Sequence, residues 1–340
     1  TAERVIPQEN RLETSIGDVS YDYLVIATGA GTNYFGDQTL AQRTMQLKTT
    51  SDALFNRNRM IESFERALNT SNAEERRHWL TFVIVGGGAT GIELAGALAE
   101  MRKFVLPKDY PELDWNEMRI LLVDGGERLL NAFSQKSSED VIRNLKDMKV
   151  EVLLKKFVKE YDGKKLTFVD GEQVVTNNVF WVAGVKASSL EGLPQDIYGR
   201  GNRLLVDEFN RIQGMADIFA LGDTALLVAE GYPIGHPQAV QPSIQQASWL
   251  AENLGHMRPF KYMNKGSMAT IGRNDAVAEI SGIRFSGFFA WLLWLLVHLM
   301  SIVGVKNRLF IFINWMWSYV TYDQSLRLLI KPEVKKSDPF

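Results

Sequence analysis

Hydrophobic and polar positions change period several times along the chain, and each period predicts a backbone. Arg11–Gly17 and Val19–Thr28 read as a short strand pair leading into YDYLVIATGA, a buried strand that ends in small residues at Ala27–Ala30. From Thr49 to Thr70, Leu54, Met60, Ile61, Phe64 and Leu68 recur at helical spacing among Arg, Asn and Glu, which predicts an amphipathic helix. Ser71–Glu75 reads as the crossing into a second domain. There the apolar run Thr81–Val85, a glycine turn and the small-residue helix Gly91–Met101 predict β-turn-α, with MRILLVDGG at Met118–Gly126 as the next strand. The intervening Lys103–Glu117 is rich in charge and proline and reads as a surface excursion. Helix Ser137–Lys149, the strand VEVLL and an alternating meander ending in Ala183-Gly184 follow. Asp217–Gly222 is again a buried strand, Gln241–Leu254 a helix with Pro242 tolerated in its first turn, and Met268–Ile283 a short hairpin region. The pattern then turns abruptly to FSGFFAWLLWLLVHLMSIVG and KNRLFIFINWMWSYV.

These periods give an α/β fold class in which a first domain is interrupted by a nucleotide-binding unit and then resumes ahead of an apolar tail; the resemblance stated below implies two nested Rossmann-like dinucleotide-binding domains with a C-terminal helical membrane-attachment segment. The expected boundaries are 1–74 for a partial first domain, 75–188 for the second, 189–284 for the return of the first and 285–340 for the tail. Composition changes this picture little. The 340 residues are 46% hydrophobic and 23% charged, and a net charge of -2 implies no general polyanion-binding field, hence no nucleic-acid partner. With no cysteine, a disulfide framework, a thiolate metal site and a redox dithiol are excluded, so redox chemistry would need a cofactor. The four histidines form no metal-ligand cluster.

Gly86, Gly88 and Gly91 stand at G-x-G-x-x-G spacing, which suits a tight turn, close approach of backbone to a pyrophosphate and close helix-on-strand packing. Asp124, at the end of the second strand, is the acid that would accept from the adenosine ribose hydroxyls and repel a 2′-phosphate, favouring NADH over NADPH, although Arg128 nearby weakens that preference. Glu93 lies near the helix start, where an acid is favoured by the dipole whether or not it is catalytic. Gly222-Asp223 after a buried strand allows a ligand to approach and offers a carboxylate to a hydroxyl, or caps a turn. Gln241 and Gln245 share one helix face, as exposed polarity or as paired amides.

The charge-free run Phe288–Gly304 lies at the low end of the roughly 17–25 residues that span a bilayer. Trp291, Trp294, Trp315, Trp317 and Tyr319 suit the headgroup level, and Arg284, Lys306 and Arg308 bracket the first run. A helical hairpin lying in one leaflet fits better than a soluble core helix or a dimer face.

Together YDYLVIATGAGTNYFG, IVGGGATGIELAGALAE, VFWVAGVKASSL, DIFALGDTA, QPSIQQASWLA and the tail resemble, in order, the blocks of the type II NADH:quinone oxidoreductases. The resemblance implies FAD and NADH as cofactors and a membrane quinone as partner. It assigns FAD contacts to Ala27, Thr28, Gly29, Gly222, Asp223 and the segment Val240–Gln245. NADH contacts fall on Gly86, Gly88, Gly91 and Asp124, with Ala183 and Gly184 nearby. Glu93 matches the glutamate near the nicotinamide, and Gln241 and Gln245 match the glutamines facing flavin and quinone; both flanking alanines of that motif are changed here. It further implies peripheral (monotopic) attachment through residues 285–330 to the cytoplasmic side of the cell inner membrane, and a possible homodimer. No first G-x-G-x-x-G unit for FAD occurs before Gly86, so the chain is expected to lack the FAD-loop unit, and its own activity depends on retaining FAD without it. The alternatives are a soluble FAD-dependent NAD(P)H reductase and an NADH-binding fragment that is inactive without that loop.

Overall fold

The computed structural model describes residues 1–256 and 258–321. In chain order the elements that position the candidate sites are β1 (Leu24–Ile26), α1 (Thr50–Asn69), α2 (Ala73–Leu80), β2 (Thr81–Val85), α3 (Ala89–Glu100), β3 (Arg119–Val123), α4 (Gln135–Asp147), β4 (Glu151–Leu153), β5 (Asn178–Trp181), β6 (Ile218–Ala220), α5 (Val240–Asn253), β7 (Ser267–Gly272), β8 (Asp275–Ile280), β9 (Ile283–Ser286), α6 (Phe288–Ser301) and α7 (Val305–Thr321). They divide between two compact units, Thr1–Asn33 with Gly184–Lys265, and Tyr34–Ala183 with Gly266–Phe340.

In the first unit a three-stranded antiparallel sheet is formed by Ala2–Ile6, Arg11–Thr14 and Val19–Ser20. The expected strand pair is thus shorter than Arg11–Gly17 and Val19–Thr28, because Gly17 turns at φ 118° and β1 leaves to pair in parallel with β6, Leu24 opposite Ile218 and Ile26 opposite Ala220. The core here is Val5, Ile26, Leu204, Ile218 and their neighbours.

The second unit holds a parallel sheet in the order β5-β2-β3-β4, in which every residue of β2 is buried, as continuous apolar strands in parallel sheets require. The predicted helix 49–70 is α1, closed at its start by a reciprocal capping box between Thr49 and Asp52. It packs here: Phe64 lies 5.7 Å from Phe82 and 5.5 Å, edge-on, from Trp115, ring to ring. Two expectations are corrected by that contact. The crossing lies at 33/34, not in Ser71–Glu75, where Asn72 instead caps α2. The segment 103–117 is no surface excursion, since Val105 is buried and Leu106, Tyr110, Leu113 and Trp115 belong to the main core. Its charged residues Lys103, Lys108, Glu112 and Asp114 stay exposed while Tyr110 and Trp115 pack on Phe64 of α1; Tyr110 Oη donates to Glu65 Oε1 at 2.9 Å.

The expected hairpin 268–283 is a three-stranded antiparallel sheet, β7-β8-β9, and it belongs to the second unit, not to the return of the first. Gly96 is the reason it packs so closely on α3: a Cβ there would stand 1.8 Å from the Ile271 carbonyl oxygen. Ala290 of α6 is buried against Ala276 and Ala278 of β8, small residues again permitting close approach.

Candidate functional site

Within the second unit the glycine loop joins β2 to α3. Gly86 takes φ 125°, a left-handed conformation costly for other residues, and a Cβ on it would meet the Val182 carbonyl at 2.7 Å. Gly91 faces the Gly86 oxygen, with an added Cβ only 1.8 Å away, so helix and strand are locked together. Gly88 differs. As the N-cap of α3 it has extended backbone, no side chain caps the helix, and nothing lies within 4 Å of where its Cβ would be. An open cradle at an uncapped helix start is what an incoming pyrophosphate needs.

Asp124 reaches this loop from the end of β3. Its Oδ2 accepts from Gly87 N and its Oδ1 from Gly126 N, both at 2.6 Å. The carboxylate therefore shapes the loop besides retaining lone pairs for a hydroxyl. Ala183 follows β5 beside Gly86, and Gly184, at φ 89°, opens the return to the first unit.

Glu93 sits within α3, partly buried. Burial holds its carboxyl above the ordinary carboxylate range, opposed by a hydrogen bond from Thr270 N at 3.3 Å and by His298 of α6. At the other end of α3, Glu100 accepts from the backbone N–H of Arg273, and burial likewise raises its carboxyl. The two acids bracket Gly96 and pin α3 to β7.

In the first unit, Ala27 and Thr28 follow β1 and are exposed. Thr28 Oγ1 donates to the Ser188 carbonyl at 2.7 Å, and Gly29 N donates to Thr224 Oγ1 at 3.0 Å. Gly222, at φ 64° and with Ser243 Oγ only 2.6 Å from where a Cβ would stand, donates its N–H to Gln246 Oε1 at 2.7 Å. Gln246 is buried and donates onward to Asn210 Oδ1 at 2.7 Å. Asp223 follows in the same turn and partly offsets the burial that lowers the guanidinium of Arg203, which donates to the Ala225 and His236 carbonyls. Val240, the first residue of α5, is exposed at a helix start that no side chain caps. Small exposed residues beside an uncapped helix start leave room for a flat, anionic cofactor.

Gln241 and Gln245 are directed onto the backbone of 263–265. Gln245 Nε2 donates to the Met263 carbonyl and its Oε1 accepts from Met263 N, each at 2.9 Å, while Gln241 Oε1 accepts from Lys265 N at 3.1 Å. Sequence reasoning missed Thr224, Gln246, Asn210, Thr270 and Arg273. A neighbouring glutamine and a lone threonine carry no periodic signal; only the fold makes them partners of the glycine turns.

In the tail, α6, α7 and the turn between them leave Phe289, Val303, Val305, Trp317 and Val320 widely exposed, and among the described residues no helix is long and apolar enough to cross a membrane.

The chain matches the pyridine nucleotide-disulphide oxidoreductase family over residues 2–247 and the NDH2 C-terminal domain over residues 264–321. It is 33% identical over 322 residues to the type II NADH:quinone oxidoreductase Ndh of Mycobacterium tuberculosis, covering 88% of this chain and 67% of that protein. To the type II NADH:quinone oxidoreductase of Haemophilus influenzae it is 30% identical, covering 82% of this chain and 66% of that protein. The structure of NDH2 from Plasmodium falciparum in complex with NADH has the same fold, with a TM-score of 0.86 at 20% identity over 97% of this chain and 84% of that one. A nucleotide loop on α3, the turns of the first unit and a matching C-terminal domain thus occur together in one chain, which belongs to the type II NADH:quinone oxidoreductases of the pyridine nucleotide-disulphide oxidoreductase family.

Proposed function

We propose that this protein is an NADH dehydrogenase that passes the hydride of NADH to FAD and reduces a membrane quinone by two electrons, without proton pumping. The observation that carries the reading is the open, uncapped glycine loop at the start of α3, with Asp124 beside it. NADH would be held by Gly86, Gly88, Gly91 and Asp124, the helix start facing the pyrophosphate. Ala27, Thr28, Gly29, Gly222, Asp223 and the first turn of α5 would hold FAD, the helix dipole favouring negative charge at that end. When bound, FAD supplies hydride acceptance and onward electron transfer.

The chain's own groups position and deliver protons. Glu93, kept by burial readier to hold a proton than an exposed carboxylate, tunes the nicotinamide side or hands on a proton. Gln241 and Gln245 orient the quinone ring. The backbone bonds of Gln245 fix its amide plane while leaving it one hydrogen and one lone pair for an acceptor. Residues 285–330, of which 322–330 lie outside the described residues, attach the protein to the lipid surface of the cytoplasmic leaflet of the cell inner membrane, where a lipid-soluble acceptor is found.

The test is the visible spectrum of the FAD-supplied protein under anaerobic conditions. NADH should bleach the flavin band and added quinone should restore it. A bound flavin that NADH does not bleach sinks the dehydrogenase, and bleaching that quinone cannot reverse sinks the acceptor. Gln245→Leu should weaken quinone reduction while leaving bleaching by NADH intact.

A further inference from the structure

Past the end of β3 the chain turns through Asp124, Gly125 and Gly126, and one side chain from the segment beyond β4 closes on that turn. A Cβ on Gly125 would stand 2.5 Å from Phe157 Cε1, 2.9 Å from Cδ1 and 3.0 Å from Cζ, so an edge of the ring rests where only glycine leaves room. The backbone on either side is fixed: Lys155 N donates to the Gly126 carbonyl at 2.9 Å, Lys156 N to the Asp124 carbonyl at 3.1 Å, and Val169 N to the Phe157 carbonyl at 2.9 Å. The ring is nonetheless 61% exposed, and among the described residues no other ring and no cation packs on it. Nearby charges have partners of their own. Lys155 pairs with Glu127 at 2.9 Å, Arg128 Nη2 donates to the Asn131 carbonyl at 2.9 Å, and the Lys156 ammonium pairs with Asp170 and Glu172 over the Phe168 ring.

A single exposed phenylalanine needs no explanation in itself, but this one stands in line with the nucleotide loop. Gly88 opens the cradle for a pyrophosphate, Asp124 reaches Gly87 and keeps lone pairs for a ribose hydroxyl, and Gly125, with Phe157 against it, is the next residue along. The part of the dinucleotide that follows the ribose is a flat, uncharged base. We propose that Phe157 is the platform on which the adenine of NADH stacks, and that the site takes the base by its face and does not read its edge. A ring anchored by one edge keeps a face for another flat ring, and stacking tolerates any base because each has a π-face. The charged side chains around the turn are engaged with one another or with backbone, which leaves the phenyl ring as the surface that a neutral base meets. This assignment rests on the NADH reading above and deepens it.

The experiment is calorimetric titration of the whole, FAD-supplied chain with ADP-ribose, which carries the base, its ribose and the pyrophosphate but no hydride to transfer. Stacking of one base changes affinity roughly 5- to 150-fold, so Phe157→Ala should weaken ADP-ribose binding by a factor in that range. Phe157→Tyr should keep the parent affinity. Phe157→Leu, which retains an apolar side chain but no π-face, should weaken binding too, and it decides the matter if Phe157→Ala does not fold. The ADP-ribose analogue with hypoxanthine in place of adenine differs at the rim of the base and not in its rings, so it should bind the parent chain as ADP-ribose does. Equal affinity of the parent and Phe157→Ala, or full affinity in Phe157→Leu, overturns the platform while leaving the glycine loop in place. A marked loss with the hypoxanthine analogue overturns it as well, since the edge of the base would then be read. Failure of the parent chain to bind ADP-ribose at all overturns the NADH reading itself, an outcome distinct from binding that ignores residue 157.

Discussion

Two alanine substitutions in the same loop should have opposite profiles. At Gly88 the added methyl meets nothing within 4 Å, and the extended backbone there suits any residue, so Gly88→Ala should change stability by no more than about 0.5 kcal/mol. The methyl nonetheless projects into the open mouth of the loop, where a pyrophosphate must come within hydrogen-bonding distance of the α3 N–H groups. Losing one charge-assisted bond costs about 1.5–3 kcal/mol, which weakens NADH binding roughly 10- to 150-fold. At Gly91 the methyl stands 1.8 Å from the Gly86 oxygen and 3.3 Å from Leu122 Cδ1. The loop must open by more than an ångström, and Gly91→Ala should lose at least the roughly 1–3 kcal/mol of an overpacked core along with its affinity. Calorimetric titration with NADH and thermal denaturation of both variants check the pair. If Gly88→Ala binds NADH as tightly as the parent chain, the pyrophosphate does not sit at this helix start and the reasoning is wrong.

Other outcomes follow from contacts elsewhere. Gly96→Ala drives a methyl to 1.8 Å from the Ile271 oxygen, so α3 and β7 cannot remain docked as they are and stability should fall by about 3 kcal/mol, the upper end of the cost of overpacking, read as a lower melting temperature; an unchanged melting temperature would show that the contact is not formed. Gln246→Leu strands the Gly222 N–H and Asn210, costing about 1–3 kcal/mol per buried group, and should loosen FAD retention on gel filtration while NADH affinity stays constant. Burial raises the Glu93 carboxyl above its unfolded value, so the folded protein carries no penalty from it in acid and an increasing one as pH rises from the ordinary carboxylate range through the raised value. Glu93→Gln should therefore equal the parent at low pH and gain relative melting temperature toward pH 8. A constant difference across that range would place the carboxyl in water.

Much of this protein could be read directly from its residues. The run of buried β2, the three glycines and Asp124 announce a nucleotide loop because a tight turn, a close approach and a strand-end acid each demand a residue type at a fixed offset. The tail declares itself by absence of charge over a length that proteins seldom leave uncharged. Other features have no local signal. Whether 34–74 packs with the first or the second unit depends on Phe64 meeting Phe82 and Trp115, partners 18 and 51 residues away, and whether Lys103–Glu117 is surface or core depends on the same aromatic cluster. The turn glycines could be recognised, but Thr224 and Gln246, which hold them, could not, since hydrogen bonds to backbone leave no period behind. The same holds for Gly96: a small residue in a helix is legible, but that it admits Ile271, and so brings the C-terminal sheet onto the nucleotide helix, was decided only when residues 175 positions apart came into contact. Local chemistry selects the elements because it acts within a turn or two of the chain; their partners are selected by packing, which acts through space.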